Sequence, residues 1–164
     1  MLRFAIIFLL CLAVAPLVPA LVEKRLGAPA GGPEAEEPEG GERLYRISRN
    51  RQGHFVADAY LNGRAIDMLV DTGATTTVLP ESVAEDIGIF TTPSDFKYSI
   101  RTANGTVHGA RAVIDSLRLG NIRLRNIDAL VLKDQSLGEP LLGMSVLNRL
   151  QRFDMSGGTL VLVQ

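Results

Sequence analysis

Several chemistries are excluded by what this chain lacks. It has one cysteine in 164 residues, Cys11, and that residue lies in an apolar N-terminal stretch. The rest of the chain can form no disulfide, offers no thiolate nucleophile and needs no oxidising compartment to fold. Cys11 is read as an ordinary apolar residue, because Leu9-Leu10 lacks the small residues that precede a lipidated cysteine. The two histidines, His54 and His108, are far apart in sequence and have no cysteine partner. They are read as surface residues, and neither a metal nor any other cofactor is expected. No glycine-rich loop links a strand to a helix, so a phosphate-binding loop is absent. The nucleophile-elbow pattern around a serine is missing as well. Tryptophan is absent and aromatics make up 5%. The net charge of -1 comes with scattered basic residues, which excludes a nucleic-acid surface. There is no internal repeat.

What is present divides the chain in three. Residues 1–22 begin with a single basic residue, Arg3, and continue as an apolar run from Phe4 to Val22, broken by Pro16 and Pro19. About 18 apolar residues suffice to span a bilayer. The same run also fits a secretory signal peptide, with Val18-Pro19-Ala20 as a small-residue cleavage site. The segment is therefore expected to be either a signal peptide or an N-terminal membrane anchor. Arg3 before the run favours a cytoplasmic N-terminus, with the remaining chain outside the cytoplasm. Residues 23–43 form a linker rich in Pro, Gly, Ala and Glu. Over 23–42 it carries six acidic and two basic side chains, a net of -4. It has too little apolar surface to offset chain entropy and reads as a flexible spacer.

From residue 44 the pattern is that of a β-rich domain. Gly is frequent, at 16 residues, and short apolar runs alternate with turn signals. Strands are expected at Leu44–Ile47, His54–Leu61 and Arg64–Val70. The last two are joined by Asn62-Gly63, the strongest short hairpin signal. Pro80–Ile87 reads as a short helix stopped by Gly88. Tyr98–Val107 reads as a hairpin with Ala103-Asn104-Gly105 at its tip. Ala112–Leu119 and Ile122–Leu132 flank a turn at Gly120-Asn121. Met144–Leu150 has helical spacing. Phe153–Gln164 closes the chain as a hairpin around Ser156-Gly157-Gly158. The sum is eight or nine short strands and two short helices, a mostly β, small closed barrel.

One stretch organises the domain. The apolar strand ends in Asp71, followed by Thr72-Gly73-Ala74 and then by Thr75-Thr76-Thr77-Val78-Leu79. A strand that ends in an acid and bends through small residues presents that acid to something. A buried carboxylate must be paired or hydrogen-bonded. The motif lacks the lysine that follows the phosphorylated aspartate of ion pumps. The other eight aspartates lie in plainer settings: Asp58, Asp67, Asp115 and Asp128 at outward strand positions, Asp86 on the helix, and Asp95, Asp134 and Asp154 near turns.

Asp71-Thr72-Gly73-Ala74 resembles the active-site signature of the retropepsin-type aspartic proteases. Three further elements occur in the order that family uses. A hairpin leads into the Asp strand. Thr102-Ala103-Asn104-Gly105 stands where a flap would be. Leu141-Leu142-Gly143 matches the apolar-apolar-Gly element beside the catalytic turn. Residues 44–164 are similar to the membrane-tethered bacterial members, with Leu141-Leu142-Gly143-Met144-Ser145 a close match.

The resemblance implies a homodimeric aspartic endopeptidase without cofactor, with one catalytic Asp71 per subunit. Two carboxylates would share a proton and activate a water. Thr72 would hold the two turns together across the dimer axis. Gly73 and Ala74 would keep the floor open, the hairpin tip would close over a peptide or protein substrate, and Leu141 and Leu142 would pack in the core. The domain would sit in the bacterial periplasm, tethered or released. A competing expectation is a non-catalytic barrel of the same fold that binds peptides or dimerises.

Overall fold

The computed structural model describes residues 41–102 and 105–164. Residues 1–40, and with them the expected signal or anchor and most of the linker, lie outside the described residues. So do Ala103 and Asn104. The described part forms a compact unit over Glu42–Gln164. Among the described residues no helix is long and apolar enough to cross a membrane.

Among the described residues ten strands and two short α-helices follow in order: β1 (Leu44–Ser48), β2 (Val56–Leu61), β3 (Arg64–Val70), β4 (Thr77–Pro80), α1 (Glu81–Asp86), β5 (Tyr98–Thr102), β6 (Gly105–Leu119), β7 (Ile122–Leu132), β8 (Leu141–Leu142), α2 (Met144–Leu147), β9 (Arg152–Ser156) and β10 (Thr159–Val163). Single 3-10 turns occur at Pro93–Asp95 and Asp134–Ser136. A mostly β architecture was expected from the alternating runs, and the class is the one found.

Two sheets carry these strands. The smaller joins the ends of the domain, in the order β1-β10-β9, all antiparallel. Leu160 and Leu162 of β10 and Ile47 of β1 face inward and are buried. The larger runs β2-β3-β8-β4-β7-β6-β5. β2 also pairs with β6 through Ala59↔Leu119 and Leu61↔Leu117, so the hydrogen-bonded order returns on itself. Its interior is filled by Leu61, Met68, Leu79, Ile114, Leu117, Ile127 and Leu142, all fully buried. Exposed Asp58 and Asp128 sit between buried neighbours on their strands, the alternation that a half-buried strand produces, and Asp67 and Asp115 are exposed as well.

The β2–β3 hairpin forms as its sequence predicts. Leu61 faces Arg64 across two residues, and both take left-handed φ, 47° at Asn62 and 86° at Gly63. That is the turn whose twist matches its strands. The Asn62 side chain adds a tertiary role. Its oxygen accepts from Ser116 N–H at 3.1 Å, and its amide donates to the Ile87 carbonyl at 3.1 Å.

Several boundaries differ from expectation. His54 and Phe55 precede β2, and Phe55 forms an isolated bridge with Arg49. Pro80 ends β4 and caps α1 instead of opening it. The helix after Gly143 stops at Leu147, not Leu150. β9 starts at Arg152, and Asp154 is mid-strand opposite Val161, not near a turn. His108, though exposed, lies inside β6.

The largest difference is β6 itself, which is one strand of 15 residues where two were expected. It reverses its inward face at exposed Asp115 and Ser116. β7 does the same opposite, at exposed Arg125 and Asn126. Asn126 takes φ 52° there, and the Arg149 guanidinium donates to the Arg125 and Asn126 carbonyls. The alternation is broken where the register skips Asp115 and Asn126, and pairing continues on either side.

Candidate active site

The site is built on the far end of β3. Three consecutive amides are fixed by three separate acceptors. Leu69 N–H donates to the Pro140 carbonyl at 2.9 Å, Val70 N–H to Phe55 at 2.9 Å, and Asp71 N–H to Leu142 at 3.1 Å. The chain then turns. Ala74 N–H reaches back to the Asp71 carbonyl at 3.3 Å. Gly73 N–H donates to Asp71 Oδ1 at 2.8 Å. This bond to a carboxylate is charge-assisted and orients the side chain. Asp71 is half-buried, while Thr72 and Gly73 are exposed. The turn therefore presents a fixed carboxylate at an open surface.

The turn rests on β8 and α2. β8 is two residues long and lies between the two limbs of the turn. It runs parallel to β3 (Leu69↔Leu141, Val70↔Leu142) and antiparallel to β4 (Val78↔Leu141). Met144 N–H donates to the Ala74 carbonyl at 2.8 Å. Gly143 lies so close beneath the turn that a Cβ would stand 2.4 Å from the Thr76 carbonyl oxygen and 2.8 Å from that of Ala74. Only glycine fits there without moving backbone.

A hydroxyl pair closes the base. Thr77, fully buried, accepts from Ser145 Oγ at 3.0 Å and from Gly143 N–H at 3.3 Å. Thr77 N–H in turn donates to Ser145 Oγ at 2.9 Å. Buried hydroxyls need such partners, and here they join the strand after the turn to the helix beneath it.

The expected site residues fall into two groups. Asp71, Thr72, Gly73 and Ala74 are brought together with Leu142 and Gly143. Leu142 is fully buried, but Leu141, expected in the core, is half-exposed. Thr102 and Gly105 are at the end of the β5–β6 hairpin, where Thr102 Oγ1 donates to the Gly105 carbonyl at 2.9 Å. Ala103 and Asn104 lie outside the described residues. The Thr77–Ser145 pair was not singled out from the sequence. A run of three threonines reads as strand filling, and only the fold reveals which one is buried.

The remaining aspartates have other settings. Asp58 and Asp67 face each other across β2 and β3. Asp95 accepts from Thr92 N–H and Oγ1, both at 2.7 Å, which holds its carboxyl below the usual range. Asp134 accepts from Ser82 N–H at 3.0 Å and from its hydroxyl at 3.1 Å. Among the described residues no three His, Cys, Asp or Glu side chains gather to hold a metal ion.

Comparison with known proteins agrees with this architecture. Residues 57–149 match the profile of the gag-polyprotein putative aspartyl protease family. The chain is 36% identical over 115 residues to an uncharacterised protein from the cobV 5′ region of a Sinorhizobium species, covering 70% of this chain and 49% of that one. It is 32% identical over 119 residues to the uncharacterised protein RP867 of Rickettsia prowazekii (strain Madrid E), covering 71% and 49%. The chain thus spans about half the length of these curated relatives. Among solved structures it is similar to a retropepsin-like aspartic protease from Rickettsia conorii. That match has a TM-score of 0.64 at 34% identity and covers 75% of this chain and 92% of the other. The span matched by the family profile includes the Asp71 turn and the β8–α2 support beneath it, and the chain belongs to the gag-polyprotein putative aspartyl protease family, with a retropepsin-like fold.

Proposed function

We propose that this protein is an aspartic endopeptidase whose site is completed by a second copy of the chain. The observation that carries the reading is the Asp71 carboxylate, held by Gly73 N–H at 2.8 Å on a turn whose next two residues are exposed. One oriented carboxylate is half of what the chemistry needs. Two such turns facing each other bring two carboxylates within a few ångströms. They cannot both ionise easily, so they share a proton. The ionised one takes a proton from water as the water attacks the scissile carbonyl. The protonated one donates to the carbonyl oxygen, and the proton returned to the amine lets the peptide bond break. Thr72, exposed beside Asp71, is assigned the contact across the axis.

The β5–β6 hairpin, ending at Thr102 and Gly105, is assigned the role of flap. A peptide lies extended beneath it, pairs by main-chain hydrogen bonds and sets alternate side chains in pockets. Residues 1–22 are assigned to a membrane tether or signal that places the domain in the periplasm. Fractionation of cells expressing the full chain tests that placement.

Asp71→Asn tests the chemistry. It should lower peptide cleavage by about 10³-fold or more while the unfolding transition is retained. Full activity in that variant excludes the reading. Mixing tests the shared site. When wild type and Asp71→Asn subunits exchange freely, activity should fall as the square of the wild-type fraction. A linear fall, or a protein that stays monomeric at micromolar concentration while cleaving, excludes the dimeric site. A monomer that cleaves nothing supports the non-catalytic barrel.

A further inference from the structure

A cleft of about 760 Å³ opens between the segment that leads into β4 and the β5–β6 hairpin. Thr76, five positions beyond Asp71, lines it together with Tyr98 and Ile100 of β5, Arg111 and Val113 of β6, and Asp128 of β7. Pairing places these groups on one face of the sheet. Arg111 is opposite Leu130, Val113 is opposite Asp128, and Tyr98 is opposite Gly109, two residues before Arg111. Val113 is 49% exposed there, an apolar side chain without cover.

The charges are arranged unequally. The Arg111 guanidinium stacks on the Tyr98 ring at 4.4 Å, and Lys97 approaches the same ring at 5.8 Å. Stacking fixes the plane of the fork but uses none of its N–H donors. Among the described residues the Arg111 side chain has no ion pair or hydrogen bond. A planar fork with unused donors is suited to a carboxylate. Asp128 is the one acid in the lining, across from Val113. With Lys97 beside the Tyr98 ring, two cations stand near this one anion.

Resting on the protease reading, we infer that this cleft is a specificity subsite for an acidic side chain, and that Arg111 is its specificity-determining residue. An extended peptide running along β4 past Asp71 brings one side chain under the hairpin. A Glu or Asp there meets the Arg111 fork, its methylenes lie on Val113, and Asp128 sets a repulsive limit. The chain itself contains a segment of this chemistry, since residues 23–42 carry six acidic side chains. Its charge of -4 is opposite in sign to the +2 of residues 43–164.

The test uses the full chain and a peptide of residues 33–45, beside matched peptides in which each Glu is replaced by Gln. Cleavage and binding, the latter by fluorescence anisotropy with Asp71→Asn, are both measured. The Glu peptides should be favoured about fivefold or more, through KM, not kcat. The preference should vanish in Arg111→Gln, weaken in Arg111→Lys and grow in Asp128→Asn. Thermal unfolding of each variant confirms that an exposed charge was changed and not the fold. A Glu preference unchanged by Arg111→Gln, or no preference in either assay, overturns the subsite. If wild type cleaves nothing, the protease reading fails by itself, and the binding arm still decides the cleft. Arg111-dependent binding of the Glu peptides then upholds the subsite, and indifferent binding rejects it.

Discussion

The segment that leaves the Asp71 turn and the β5–β6 hairpin line one cleft, and the turn and the hairpin are held in opposite ways. Every amide from Leu69 to Asp71 is bonded to a segment distant in sequence or to the strand beside it. Beneath the turn, Gly143 has no room for a methyl group, and the fully buried Thr77 is bonded to the half-buried Ser145. Among the described residues the hairpin shows no comparable buried support near its end. There, Arg101, Thr102, Gly105 and Thr106 are all exposed, and the bond that spans the tip is local, Thr102 to Gly105. A region bound through many buried long-range contacts opens only with the whole domain, whereas one held by its own ladder can open alone. The proposed chemistry needs both properties, a carboxylate that does not move and a cover that does.

Gly143→Ala should break this comparison hardest. The added methyl meets backbone oxygens on two sides, and backbone cannot rotate away as a side chain can. Overpacking of this kind costs roughly 1–3 kcal/mol, and the upper end is expected here. The denaturation midpoint should fall and cleavage should be lost with it. A variant with unaltered stability would show that the floor is softer than its contacts imply.

Thr77→Val comes next. It keeps the shape but leaves the Ser145 hydroxyl and Gly143 N–H without their buried acceptor. An unsatisfied buried group costs about 1–3 kcal/mol. Urea unfolding should register about 2 kcal/mol, and kcat should fall more than KM rises. Ser145→Ala, combined with Thr77→Val in a double-mutant cycle, should show strong coupling. Additive effects would mean that the pair does not act as a unit.

Where sequence alone was informative, the signal was local. Asn62-Gly63 announces its hairpin because both residues tolerate the left-handed conformation that the turn imposes. Asp71 stands out because an acid at the end of an apolar strand has few structural uses. Gly143 was visible as part of Leu141-Leu142-Gly143, although the reason for it was not. The reason is a close approach to the Thr76 backbone, 67 positions earlier by numbering. The clamp between Thr77 and Ser145 spans 68 positions, and β1 finds β10 across the whole domain. No window on the sequence contains both partners. The continuity of β6 was hidden for a related reason. Gly109 looks like an interruption, but it is there because a side chain would strike Ile100 and Leu132. The acid-binding character of the cleft was equally illegible. Tyr98 and Arg111 are ordinary strand residues until pairing stacks one on the other.

Gly105→Ala should have the smallest effect on stability and sharpens the comparison from the hairpin side. Gly105 takes φ 118°, outside the range open to an L side chain, although no atom lies within 4 Å of where a Cβ would be. The penalty is therefore conformational, not steric. At a braced position it would be about 1 kcal/mol or more of global stability. At the hairpin end the strain can be relieved by letting Thr102 and Gly105 part, which breaks one local ladder and leaves the core intact. Chemical denaturation should then move by less than about 0.5 kcal/mol. Amide exchange should rise across Ile100–Val107 and stay unchanged at Leu69–Asp71. KM for peptide should rise, because a frayed cover binds substrate less well. A shift in global stability as large as that of Thr77→Val would mean that the hairpin is braced like the floor, and that the two sides of the cleft do not differ in the way their bonds suggest.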